Sequence, residues 1–248
     1  MSTLGLGGNS LVGPIPTEIG LLTRLGRFVL SDNQLRASLP TELGLLKSLV
    51  FLDLGSNNLT SSLPVELLGL TRLETLWIHD STLTGSIPTK ISNLRRLYSL
   101  RLDHNLLTGS IPTEVGLLTN LVELNLAHND LTSTIPLEIW QLVLLASMRL
   151  QANSITGNIP TEIDSVELVE ILLSENDMSG SIPSEIGRLR DLERLDLHGN
   201  NLTGTFPEEI ASLQSLEVLD ASSNQFYGKI PDGIGGLSLL RYLNLAMN

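Results

Sequence analysis

One asparagine recurs down this chain at positions 9, 33, 57, 105, 129, 153, 176, 200, 224 and 248, and that period limits the fold more than any other feature. The step is 24 residues, except for a 23-residue step from Asn153 to Asn176; Ser81 stands where the eleventh Asn belongs. Around each Asn the frame L-x-x-L-x-L-x-x-N-x-L-T-x-x-I-P-x-E-I-x-x-L is rewritten, most fully from Leu121 to Leu142. A unit this short cannot close a core alone, so each must stack on the next. The expected architecture is one elongated solenoid domain over residues 1–248, with ten Asn-to-Asn units of 23–24 residues, partial ends and no visible caps.

Each position of the frame has a physical reading. Apolar residues stand five and three before the Asn, as in Phe28/Leu30, Leu52/Leu54 and Leu243/Leu245. Alternation of period two makes these the inward side of a short strand. Eleven such strands, side by side and parallel at about 4.8 Å each, give a sheet roughly 50 Å long. The Asn amide has two donors and two acceptors, enough to satisfy turn backbone in the rungs above and below. Ser81 has one hydroxyl, which predicts a weak rung. Pro stands seven after the Asn in every unit and takes ten of the eleven prolines, so the return segment is extended and unpaired there. Apolar residues ten, thirteen and sixteen after the Asn fit a 3-10 turn better than an α-helix. Glu recurs nine after it, as in Glu18, Glu42 and Glu114, where a carboxylate is expected to accept from free N–H groups opening the turn. The frame puts the missing residue of the short unit between Val166 and Leu168, and reads Trp140, in place of a Gly, as a filler of the convex surface.

Composition excludes several functions. With 27 acidic against 15 basic residues and a net charge of −12, the chain is not a phosphate tracker, so no nucleic acid is expected. It has no cysteine, hence no disulfide, thiolate metal site or cysteine nucleophile. No signal peptide and no membrane-length apolar run is visible in this segment.

The run L-T-G-S-I-P-T-E-V-G, Leu107 to Gly116, resembles the plant-type leucine-rich-repeat family, and the resemblance covers essentially the whole chain. It implies an α/β repeat solenoid: a right-handed superhelix with short parallel strands on the concave face, 3-10 or irregular turns on the convex face, and a second short strand near the L-T-G residues. Family members include ectodomains of receptor-like kinases and polygalacturonase-inhibiting proteins, which implies an extracellular or membrane-attached setting. The chain departs from the secreted members in lacking paired-Cys caps.

The outward positions four, two and one before each Asn are free to vary and make the default binding surface. All four histidines fall in them. The richest stretch is Trp77, His79, Asp80, Arg101, Asp103, His104, Asn125, His128, Arg149 and Gln151, where an exposed Trp beside Arg is the composition of an interaction hot spot. A metal held by Asp80, His104 and His128 is geometrically conceivable, but hydrogen bonding among such neighbours is commoner; no metal or cofactor is expected. No nucleophile elbow, P-loop or dinucleotide fingerprint occurs, so the chain is read as non-catalytic. Asn58 and Asn201 open N-x-T sequons, which the frame itself generates whenever Asn follows Asn. The expected function is recognition of a protein, peptide or glycan on the concave sheet, receptor-like. The alternatives are an intracellular protein scaffold or an inhibitor of a secreted polysaccharide hydrolase. Apolar core open at both ends adds end-to-end self-association as an expectation.

Overall fold

The structure, a computed structural model describing residues 2–248, is a stack of repeats. Eleven three-residue strands, from Thr3–Gly5 to Tyr242–Asn244, form one parallel sheet in strict sequence order. Equivalent residues pair from rung to rung, Leu52 with Leu76 and Leu124 with Met148 among them. The alternation that defines the frame therefore puts each inward apolar residue directly beside the next. One continuous apolar core runs from Ile15 to Leu237. Burying each Leu is worth roughly 1.5–3 kcal/mol against leaving it in water, and every unit supplies one wall of its neighbour's core.

Past the Asn, the chain forms a second row of short strands. Seven, Val12–Gly13 through Ser154–Thr156, make one lateral sheet, and three, Ser179–Gly180 through Gln225–Phe226, make another. Nine helical segments follow the Pro positions among the described residues, and all are 3-10. The fourth residue after the Asn needs a left-handed backbone: Gly85, Gly109 and Gly204 have φ of 77–86°, and Ala37, Ser61 and Ser133 adopt 68–79° in the same place. Gly carries no steric cost there, which accounts for the G of L-T-G.

The Asn column works as a hydrogen-bond rack. Asn57 Nδ2 donates to the carbonyls of Leu30, Leu54 and Gly55 at 3.0–3.1 Å, and its Oδ1 accepts from Leu35 N at 3.0 Å. Asn105 and Asn129 repeat the pattern while buried. At the odd rung, Ser81 Oγ is buried with no hydrogen-bond partner.

Three details differ from the sequence frame. Where Thr or Ser precedes it, the Glu carboxylate takes that hydroxyl instead of backbone N–H groups: Thr41 Oγ1 donates to Glu42 Oε2 at 3.3 Å and Thr161 Oγ1 to Glu162 Oε2 at 2.8 Å. The missing residue lies between Ile163 and Ser165, not between Val166 and Leu168. Ser165 is fully buried and Leu168 N donates to its carbonyl, as Leu121 N does to that of Leu118, so Ser165 occupies the Leu118 place. Trp140 is not on the surface; it is 1 % exposed and belongs to the core.

Candidate ligand-binding face

In each strand of the long sheet the residue between two inward positions points outward, and so does the one preceding the first. The columns four, two and one before the Asn are joined by a column six before it. That column contains Arg27, Phe51, Ser99, Glu123, Ser147, Glu170 and Arg194, with Arg27 paired beside Phe51 and Glu123 beside Ser147. Period two, continued one step back along the strand, was signal enough to find it.

This added column explains how Trp77 is held. Its indole meets Phe51 edge-on, with centroids 5.3 Å apart and planes at 69°. Nε1 donates to Ser99 Oγ at 2.7 Å, which in turn donates to Glu123 Oε2 at 2.6 Å. The Arg101 guanidinium carbon lies 5.7 Å from the Trp77 ring centre, and Arg27 stands 3.6 Å from the centre of the Phe51 ring. The result is a half-buried aromatic pair flanked by two cations and locked by a relay across three strands. Such a side chain loses little freedom when a ligand covers it.

The other expected residues occupy neighbouring places. His79 packs its ring over Gly55, where a Cβ would come within 2.5 Å of the imidazole, and places Nδ1 2.7 Å from Asp80 Oδ2. Asp103 is buried and accepts twice from Arg101, at 3.3 Å each. Asn125 is also buried, its Oδ1 accepting from Ala127 N. His104 and His128 stack with centroids 4.1 Å apart. They and Asp80 have φ of 48–53°, because the position before the Asn turns the chain out of the strand. Arg149 bonds Glu170 at 2.5 Å, and Gln151 Oε1 is buried without a partner. Asn58 and Asn201 are exposed at the start of lateral strands.

Farther along the same face lies a group outside that stretch. His198 Nδ1 is 2.7 Å from Asp196 Oδ1, and Nε2 is 3.6 Å from Glu175 Oε1. Burial alone would lower the imidazole, but the Asp196 hydrogen bond and the charges of Asp196 and Asp220, with Glu175, raise it above its ordinary value. Asp220 is lowered: burial pushes it up, and bonds from Ser222, Asn244 and Tyr242 outweigh that. Two triads bring possible metal-ligand atoms within 4.8 Å of one another, His79–Asp80–Asp103 and Asp196–His198–Asp220. Neither offers a free set. Asp103 is tied to Arg101, and Asp220 accepts from four donors, Ser222 N and Oγ, Tyr242 OH and Asn244 Nδ2, which fill its lone pairs. Asp80, His104 and His128 do not converge among the described residues.

Parallel strands in register, a polar rack of Asn and a varied outward face define a repeat solenoid. Models of the leucine rich repeat match residues 166–226 and 190–248, and further ones match 48–70 and 120–142, together just over half of the chain. The chain belongs to the leucine-rich-repeat family, and its repeats are of the plant type. It is similar to the structure of the plant peptide hormone receptor RGFR1 in complex with RGF2, at 35 % identity over 99 % of this chain and 40 % of that one, with a TM-score of 0.97. It is also similar to the ectodomain of the Arabidopsis receptor kinase HAESA in complex with an extended IDA peptide hormone, at 35 % identity over 98 % of this chain and 41 % of that one, TM-score 0.90. A plant ice-binding protein matches at 27 % identity over 99 % of this chain and 81 % of that one, TM-score 0.82. The chain thus spans about two fifths of the length of the two receptor structures. No curated protein sequence matches it. Among the described residues, no helix is long and apolar enough to cross a membrane.

Proposed function

We propose that this chain is a non-catalytic, receptor-like recognition domain that binds an extended peptide along the concave face of the long sheet, with Trp77 as the central anchor. The observation that carries the reading is the fixed Trp77: half-buried, set against Phe51 and held through Ser99 by Glu123. Peptide hormones in the two receptor complexes support the ligand class. The probe is a displayed library of random peptides of about twelve residues, a length that spans several strands. The chain has two tryptophans, and Trp140 is buried, so a Trp140→Phe background isolates the emission of Trp77. Selected peptides are expected to shift that emission, and Trp77→Ala to weaken them about thirty-fold, the effect of removing a hot spot worth ~2 kcal/mol. Binders that leave the emission unchanged and tolerate Trp77→Ala overturn the reading.

A second reading rests on the lateral strands. Three and five residues after the Asn, Thr60/Ser62, Thr84/Ser86 and Thr108/Ser110 begin two outward columns that continue without a charge to Thr205, all hydroxyls except Asn158. Within the seven-stranded lateral sheet the hydroxyls repeat every ~4.8 Å, a spacing that presents water with a regular lattice. The likeness to a plant ice-binding protein makes ice the ligand of this second reading.

A further inference from the structure

Four arginines stand in the outward strand columns: Arg27, Arg101, Arg149 and Arg194. Three meet a carboxylate, Arg101 that of Asp103, and Arg149 and Arg194 that of Glu170. Arg27 meets none within 4.0 Å among the described residues. Its guanidinium sits over the Phe51 ring instead, 3.6 Å from the centre. A guanidinium placed on an aromatic face keeps the N–H groups at its edge, and those groups match the two oxygens of a carboxylate.

The same face contains the completed form of this arrangement. Arg101 lies against Trp77 and receives Asp103, two residues further along the chain, through two bonds of 3.3 Å. Two residues on from Arg27 stands Val29, which offers no acceptor. The nearby Asp53 is committed elsewhere, taking Ser31 Oγ at 2.8 Å and Gly55 N at 3.1 Å. Arg27 on Phe51 is therefore the arginine–aromatic pair whose carboxylate has to come from outside.

We propose that Arg27, seated on Phe51, is the receptor for one acidic side chain of the ligand. This rests on the reading that the long sheet binds a peptide, and it adds what that peptide must contain. Arg27 and Trp77 lie two strands apart and two residues apart along them, about 12 Å, which is roughly three to four residues of extended chain. The ligand thus carries its acidic side chain roughly three to four residues from the side chain that covers Trp77.

The test uses small acids and does not need the peptide. Arginine Nε–Hε resonances of the full chain are followed by NMR during titration with N-acetylglutamate α-amide, with N-acetylglutamine amide and with inorganic phosphate. The Arg27 resonance is expected to shift and saturate with the glutamate compound, and to stay still with the glutamine one. Exposed Arg72, which has no aromatic platform, serves as the internal control. Arg27→Lys keeps the charge but loses the fork, and Phe51→Ala removes the seat; each is expected to weaken the acid at least ten-fold. A response at Arg27 no larger than at Arg72 overturns the proposal, and a stronger response to phosphate than to the carboxylate overturns its ligand class. Because the acid is read without any peptide, failure here and failure of the Trp77 reading are separate results.

Discussion

Replacing Ser81 with Asn should stabilise this solenoid, and the gain can be bounded from the neighbouring rungs. Every other rung carries an Asn, and an interior one such as Asn57 makes three donated bonds and one accepted bond. At position 81 part of that set is already supplied: Leu54 O accepts from Asn57 and Ile78 O from Asn105. What is missing is the acceptor for Leu59 N, which would match Leu35 N on Asn57 and Leu83 N on Asn105 at 2.9–3.0 Å. Leu59 is fully buried, and the serine hydroxyl beside it has no partner. Satisfying one buried donor and removing one orphaned hydroxyl is worth about 1–2 kcal/mol. For a chain of this size that raises the melting midpoint by about 3–6 °C. Solenoids unfold in stretches as well as whole, so the decisive readout is local: the Leu59 amide should exchange about ten-fold more slowly. Ser81→Ala supplies the control, because it deletes the orphan without giving Leu59 an acceptor. Its Leu59 amide should exchange as in the parent chain. A lowered midpoint in Ser81→Asn, or a Leu59 amide no slower than in the Ala variant, would refute the reasoning.

Two other outcomes follow from the lateral rows and from the acidic group around His198. If the hydroxyl lattice binds ice, the chain should suppress ice recrystallisation, and Thr108→Lys with Thr132→Lys should abolish the effect while leaving peptide binding intact; no suppression by the parent chain ends that reading. His198 is raised above the ordinary 6.5, so its favourable charge is fully present below that value and is lost as pH rises through the folded-state pKa. The parent should exceed His198→Gln in stability at pH 5.5 and lose the advantage above neutrality. An NMR titration of His198 with its midpoint at or below 6.5 would contradict the geometry.

The parts of this fold that depend on a single unit were legible in the residues. Period two fixed the inward strand positions, and the Asn, the Pro and the brief apolar spacing after it gave the turn, the extended return and the 3-10 row. What could not be read depended on two units at once. Glu42 has a hydroxyl next to it in sequence, but whether it prefers that hydroxyl to the turn N–H groups is set by how the turn is oriented on its neighbour. Phe51 reads as an ordinary strand residue until Arg27 and Trp77 are placed on either side of it. The low exposure of His79 has its cause in Gly55, 24 residues earlier, because a ring can lie flat only where the adjacent rung has no Cβ. Asp103 and Asn125, expected on the outward binding face, are buried, and each bonds a group two residues away, Arg101 for one and Ala127 N for the other.

The clearest case of two-unit logic is the row of 3-10 segments. Eleven residues after the Asn, Gly44, Gly116 and Gly187 face the Glu nine after the next Asn so closely that a Cβ would lie 2.2–2.7 Å from it. Gly is there because the following unit presses on it. Where another residue takes the place, the local structure changes to suit. Ala211 faces Gly233, so the pair has exchanged its small member, with the same 2.6 Å limit on the other side. Leu68 and Trp140 are too large for either solution, and in both units the helical segment shrinks from five residues to three, Leu67–Gly69 and Leu137–Ile139. At Trp140 the next unit goes further and has lost both a residue and its 3-10 segment. Its Asp164 N, Ser165 N and Ser165 Oγ close onto Trp140 O at 2.8–3.0 Å. The 23-residue step therefore closes directly onto the rung of the buried tryptophan. A large side chain eleven residues after the Asn thus signals, in this chain, that its own helical segment is shortened.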